Sequence, residues 1–137
     1  MWPVHCVRDT PGFEFCAALA RGAGDEVVRK GTLAAVDSYS GFGDARRGRY
    51  ERTRLEALLR GRGVTHVAVA GLALDFCVAF TALDAARLGF ATYLVLDGCR
   101  AVMADKAARE LERCAAAGVV VVQRVEDLPA AFFPRVG

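Results

Sequence analysis

An apolar run at residues 64–71 (Val-Thr-His-Val-Ala-Val-Ala-Gly) passes through Leu72-Ala73-Leu74-Asp75-Phe76 into Cys77-Val-Ala-Phe-Thr-Ala-Leu-Asp-Ala85. The first part has the length and β-branched content of a buried strand, and Gly71 marks a sharp turn. The second part, read as a helix over 76–88, is apolar nearly all round and should be buried. A further strand-like run follows at 90–97, so strand, helix and strand alternate as in a parallel α/β sheet. Two more strands are expected at 26–30, ending at Gly31, and at 118–123. Helices are expected at 50–60 and 104–117, with a short helical turn at 128–133. No repeat, linker or low-complexity segment interrupts residues 1–137, which read as a single domain.

A chain of 137 residues buries roughly two thirds of its unfolded surface. With 54% apolar residues it has enough to fill a core. The net charge of +2 is too mild to argue for nucleic acid. Much of the basic excess sits in Arg46, Arg47, Arg49, Arg52 and Arg54, which read as a solvated loop and helix start. The five cysteines (Cys6, Cys16, Cys77, Cys99, Cys114) form no CxxC pair and no zinc spacing, so reduced thiols in a cytoplasmic protein are expected. No apolar run is long enough to span a bilayer, and no membrane partner is expected.

Cys77 falls just past the carboxyl end of a strand, where open α/β sheets bind ligands. There the positive end of a helix dipole favours a thiolate. Gly71 and Ala73 let the backbone turn tightly and aim N–H groups at one point, as an oxyanion hole requires. Lys30, at the end of another strand, would add an ammonium. The residues alone read equally well as an ordinary buried cysteine in an apolar helix. Candidate bases are poor: His66 lies within a strand at a wetted end, and Asp75 is better placed to cap the helix than to activate a thiol. Residues 31–48 form a long, glycine-punctuated loop holding Asp37-Ser-Tyr-Ser-Gly-Phe42, and its interleaved aromatics favour a functional role.

Trp2-Pro-Val-His5-Cys-Val, Thr10-Pro-Gly12, Val28-Arg-Lys30-Gly31, Asp37-Ser-Tyr-Ser-Gly-Phe42 and Gly71-Leu-Ala-Leu-Asp-Phe-Cys77-Val resemble, in this order, the motifs of nicotinamidases. These are isochorismatase-like cysteine hydrolases, and the resemblance runs from residue 2 to about residue 123. It implies a three-layer parallel sheet with helices on both faces. It also implies that Cys77 attacks the carboxamide carbon of nicotinamide, releases ammonia and forms a thioester that water hydrolyses to nicotinate. Backbone N–H groups of Ala73 and Cys77 would hold the oxyanion, with a cis peptide at Leu72–Ala73. Lys30 would stabilise the thiolate, Trp2 and Tyr39 would line the pyridine pocket, and His5 would ligate a divalent metal (zinc, iron or manganese). The partner implied is a small amide, nicotinamide or a similar one.

The departures from the family set further expectations. The catalytic aspartate of the first strand and the remaining metal-ligand histidines have no counterpart here, and Asp9 stands where a glycine is usual. The first two strands of the family's sheet are missing, so the chain reads as N-terminally truncated. The strand ending at Lys30 then has no neighbour, and Lys30 is not expected to be held against Cys77. The edge of residues 64–71 is exposed and predicts self-association as a homo-oligomer. The chain alone is expected to be inactive. The alternatives are a related hydrolase of another small amide, and a non-catalytic remnant or interaction module.

Overall fold

A computed structural model describes residues 2–32, 37–46 and 49–133, with the backbone alone for residues 44–46 and 49–51. Its centre is a parallel sheet built by β3 (His66–Leu72), β4 (Ala91–Arg100) and β5 (Val120–Val122), in the order β3-β4-β5. Ahead of it lie an antiparallel hairpin of β1 (Gly43–Arg46) and β2 (Arg49–Arg52), then α1 (Leu55–Gly61). A π-helical turn (Leu74–Val78) leads into α2 (Ala79–Arg87), and α3 (Ala104–Ala116) joins β4 to β5. Short 3-10 turns close the described chain at Val125–Asp127 and Ala130–Phe132.

Alternation along β3 decides which face is dry. Val67 and Val69 point into the core, whereas His66, Ala68 and Ala70 are exposed. Leu94 and Leu96 of β4 join the same core, with Val78, Ala79, Ala82 and Leu83 above them and Ala107 and Cys114 of α3 beside them. The alanines of α2 let its backbone approach the strands closely. Leu55 and Leu59 of α1 pack in a second cluster with Phe42, Ala85, Phe90 and Val67. All three described α-helices therefore lie on the face presented by Val67, Val69, Leu94 and Leu96. On the opposite face, Phe132 of the last 3-10 turn meets His66 and Tyr93 edge-on, at 6.0 and 5.3 Å between centroids. The register of β3 on β4 shifts between Val69 and Gly71. A Cβ on Gly98 would sit 3.0 Å from that of Ala70, so this close approach requires glycine.

Three expectations need correction. Residues 26–30 are not a strand, because no described segment offers them a ladder. Long side chains anchor them instead: Arg54 Nη2 donates to Glu26 Oε2 (3.1 Å) and to the Val27 carbonyl (2.9 Å), and Arg62 Nη2 to Glu26 Oε1 (2.8 Å). The helix expected over 50–60 begins only at Leu55, because residues 49–52 are spent on the hairpin, and Thr53 Oγ1 accepts from Leu55 N at 3.2 Å. The loop at 31–48 contains strand β1, so the arginine run belongs to a hairpin as well as a helix start. Residues 33–36 of that loop and Arg47 lie outside the described residues.

All five cysteines are free; Cys99 and Cys114 are buried. Burial pushes the Cys114 thiol up to about 11 from 9.0, with Glu110 adding to the rise and Arg113 opposing it. Burial raises Cys99 too, against a lowering by the Gly71 backbone and Arg100, while Asp97 adds to it. The neutral thiol is the folded form, so this stability is fully present below about pH 9 and is lost as pH rises towards about 11. Cys114 alone should account for a loss of ~3 kcal/mol across that window. Urea melts on both sides of the window check it. The fall should be smaller in Cys114→Ala, and an equal fall in both proteins would refute the assignment.

Candidate active site

Near the carboxyl end of β3, at the register shift, the backbone bends at Gly71, whose φ of +120° suits glycine. The Leu72–Ala73 peptide is cis, where the resemblance implies one. The Ala73 carbonyl then accepts from Phe76 N and Val78 N, both at 3.1 Å, which tightens the turn carrying Cys77. Cys77 is half-buried on this turn. Asp75 corrects another expectation: it makes no side-chain cap on its own helix. Its fully buried carboxylate accepts from Val102 N and Met103 N, each at 3.0 Å, and so ties the approach to α3 onto the Cys77 turn.

Lys30 Nζ lies 3.5 Å from Cys77 Sγ and donates to the Ser38 carbonyl at 2.6 Å. The ammonium therefore stands beside the sulfur although residues 26–30 form no strand. Among the described residues, no carboxylate is hydrogen-bonded or ion-paired to either group. His66 is exposed at the start of β3, the far end from Cys77, with Nδ1 2.8 Å from Thr65 Oγ1.

Trp2 and Tyr39 are brought together. Trp2 Nε1 donates to Tyr39 Oη at 3.1 Å, and the Trp2 ring meets Phe76 edge-on at 4.6 Å. Tyr39 lies 5.6 Å from both Phe76 and Phe80. Lys106 of α3 sits over the Phe76 ring, its Nζ 2.9 Å from the centroid. Sequence reasoning missed Phe76, Phe80 and Lys106. Phe76 and Phe80 carried a signal, being four residues apart on the helix that bears Cys77; Lys106 carried none, since it comes from a distant helix. A cleft of about 430 Å³ runs along residues 26–30, bounded also by Phe15, Gly41 and Leu55, and Cys77 does not line it.

His5 is exposed, 6.1 Å from the Trp2 ring, and its Nδ1 donates to the Pro3 carbonyl at 2.7 Å. One imidazole does not make a metal centre, and no group of three or more His, Cys, Asp or Glu converges among the described residues. The donor set present here does not fit a bound divalent ion. Asp9 adopts φ +62°, the left-handed region in which glycine is unstrained, which accounts for the glycine usual at that point of the motif.

The chain is similar to several known proteins. It is 40% identical over 102 residues to the nicotinamidase of Acinetobacter baylyi, covering 74% of this chain and 47% of that protein. It is 43% identical over 122 residues to the nicotinamidase/pyrazinamidase of Mycobacterium tuberculosis, covering 88% and 62%. The chain thus spans about half to three fifths of the length of these curated relatives. The pyrazinamidase of Pyrococcus horikoshii in complex with zinc superposes with a TM-score of 0.79 at 36% identity, over 90% of this chain and 63% of that one. PnC1 of L. infantum in complex with nicotinate gives 0.83 at 36%, over 90% and 61%. An isochorismatase domain profile matches residues 1–126, and the chain belongs to the isochorismatase family.

Proposed function

We propose that this chain carries the nucleophile and the ring pocket of an amidohydrolase that converts nicotinamide to nicotinate and ammonia. The observation that carries the reading is the Lys30 ammonium 3.5 Å from the Cys77 sulfur, with Trp2, Tyr39 and Phe76 gathered alongside. The sulfur of Cys77 adds to the carboxamide carbon, and the carbonyl π pair moves onto oxygen. Backbone N–H groups of Ala73 and Cys77 take up that charge. Collapse expels the nitrogen as ammonia, which carries off the proton lost by the thiol, and leaves a thioester. Water adds to the thioester, one of its protons going to the departing sulfur and the other to solvent, and nicotinate and the thiol are released. Lys30 favours the anionic sulfur at the start and at the end.

The flat aromatic walls suit a pyridine ring, and the relatives named nicotinamidase support that substrate class. His5 would supply a single ligand to a divalent metal, and no step above runs through one. The carboxylate that shuttles the proton in the family has no counterpart on this chain. The 137-residue chain by itself is therefore proposed to be inactive in turnover. The free thiols support a cytoplasmic setting, and the edge of β3, which no strand among the described residues pairs, supports self-association.

Pyridine-3-carbaldehyde separates nucleophile and pocket from turnover, because a thiol adds to the aldehyde without any leaving group. The expected result is a reversible thiohemiacetal on Cys77, formed more tightly than with benzaldehyde. An equal affinity for both aldehydes would remove the ring-nitrogen preference, and no adduct with either would sink the nucleophile. Within the amide class, relative binding of nicotinamide, pyrazinamide and simple ureido acids tests the substrate assignment.

A further inference from the structure

Thr81, one helical turn beyond Cys77, has no part in the chemistry above, yet its hydroxyl makes two hydrogen bonds. It donates to the Cys77 carbonyl at 2.6 Å and accepts from Gly41 N at 2.8 Å. A hydroxyl has one proton to give and lone pairs to receive, so both bonds are satisfied at once. From Gly41 the chain runs back through Ser40 and Tyr39 to Ser38, whose carbonyl accepts from Lys30 Nζ at 2.6 Å. Lys30 Nζ in turn reaches Cys77 Sγ at 3.5 Å. These contacts close a ring: Cys77 backbone, Thr81 hydroxyl, residues 41 to 38, Lys30 ammonium, Cys77 sulfur.

The ring matters because, among the described residues, no strand pairs with residues 26–30 to hold them. Gly41 is fixed from both sides, since Thr53 Oγ1 donates to its carbonyl at 2.5 Å while Thr81 takes its N–H. A Cβ at residue 41 would lie 3.2 Å from Leu55 Cδ2 and 3.4 Å from Thr81 Cγ2, so the loop is seated directly on the helix. We propose that Thr81 is a positioning residue, whose hydroxyl registers the Ser38–Gly41 segment against the Cys77 turn and so holds Lys30 at the sulfur. It rests on the reading of Cys77 as the nucleophile, and it also names the tether that makes up for the absent strand pairing.

The test is the rate of Cys77 alkylation by iodoacetamide, followed by mass spectrometry across a pH series, in the 137-residue chain. Thr81→Val keeps the shape and loses both bonds; the rate near neutral pH should fall about fivefold, a modest factor because only part of the lost bonding bears on where Lys30 stands. Thr81→Ser should restore it. In a Lys30→Met background Thr81→Val should have no further effect, because the ammonium it positions is gone. A purely structural threonine would slow alkylation equally in both backgrounds, and that outcome overturns the proposal, as does a wild-type rate in Thr81→Val. Should valine prevent folding, Thr81→Ala gives the same comparison with no methyl group against Gly41. The aldehyde adduct of the wild type is scored separately. Its absence would count against the nicotinamidase reading while the alkylation series still decides the role of Thr81.

Discussion

Replacing Cys77 by alanine is expected to eliminate the covalent adduct with pyridine-3-carbaldehyde and to leave the fold intact. The thiol is half-buried, and among the described residues its side-chain hydrogen-bond partner is the Lys30 ammonium. Removing the sulfur therefore costs little packing, on the order of 1 kcal/mol or less. The chemical loss is complete, because no other thiol stands at this turn. Cys99 and Cys114 are buried, and their thiols are held protonated by burial. Cys6 and Cys16 are exposed on the irregular amino-terminal segment. Native intact-protein mass spectrometry would read the adduct, and protection of individual thiols from alkylation in the presence of the aldehyde would locate it. A modified Cys77→Ala protein carrying the label at Cys6 or Cys16 would show that adduct formation is not confined to this turn.

Asp75→Ala should have the largest effect on stability. Asp75 is fully buried, and its two carboxylate oxygens each accept one backbone N–H at 3.0 Å, from Val102 and Met103. Hydrogen bonds to a charged acceptor are worth ~1.5–3 kcal/mol each, and an abandoned donor adds a desolvation cost. A loss of about 3–4 kcal/mol follows, or a fall of roughly 10 °C in melting temperature for a chain of this size. Asp75→Asn keeps one acceptor oxygen and should fall between the two. Thermal melts of the three proteins decide the matter: a shift of under about 2 °C for alanine would mean that these bonds contribute little net stability. Because Asp75 lies two residues before Cys77, the alanine variant should also slow alkylation of the thiol.

The βαβ centre of the molecule is legible in the sequence because its signals are local. Val67 and Val69 alternate with exposed residues along β3, α2 is apolar over most of its surface, and Gly89 and Gly118 lie at helix ends with positive φ. Cys77 is legible for the same reason, since a strand, a turn and a helix start can be read within fifteen residues or so. What fails is whatever depends on distant partners. Residues 26–30 have strand composition, but a strand exists only where another backbone lies alongside it. Tyr50 and Glu51 look like the first turn of an amphipathic helix until pairing with Ala45 and Asp44 claims them for a hairpin. The Lys30 contact with Cys77 spans 47 positions. It depends on Arg54, Ser38 and Thr81 together, and no window of sequence displays that combination.

The indole of Trp2 has a consequence outside chemistry and folding. It is the chain's single tryptophan, and it stands at the aromatic cluster with its N–H on Tyr39 and its ring against Phe76. Light absorbed at the red edge of the protein band is therefore re-emitted from one place, a few ångströms from the sulfur-bearing turn. An electron-poor heterocycle sliding in beside that indole accepts its excited-state electron and dims the glow. Arrival of such a ring at the aromatic cluster can thus be followed in real time, in dilute solution, without attaching any dye.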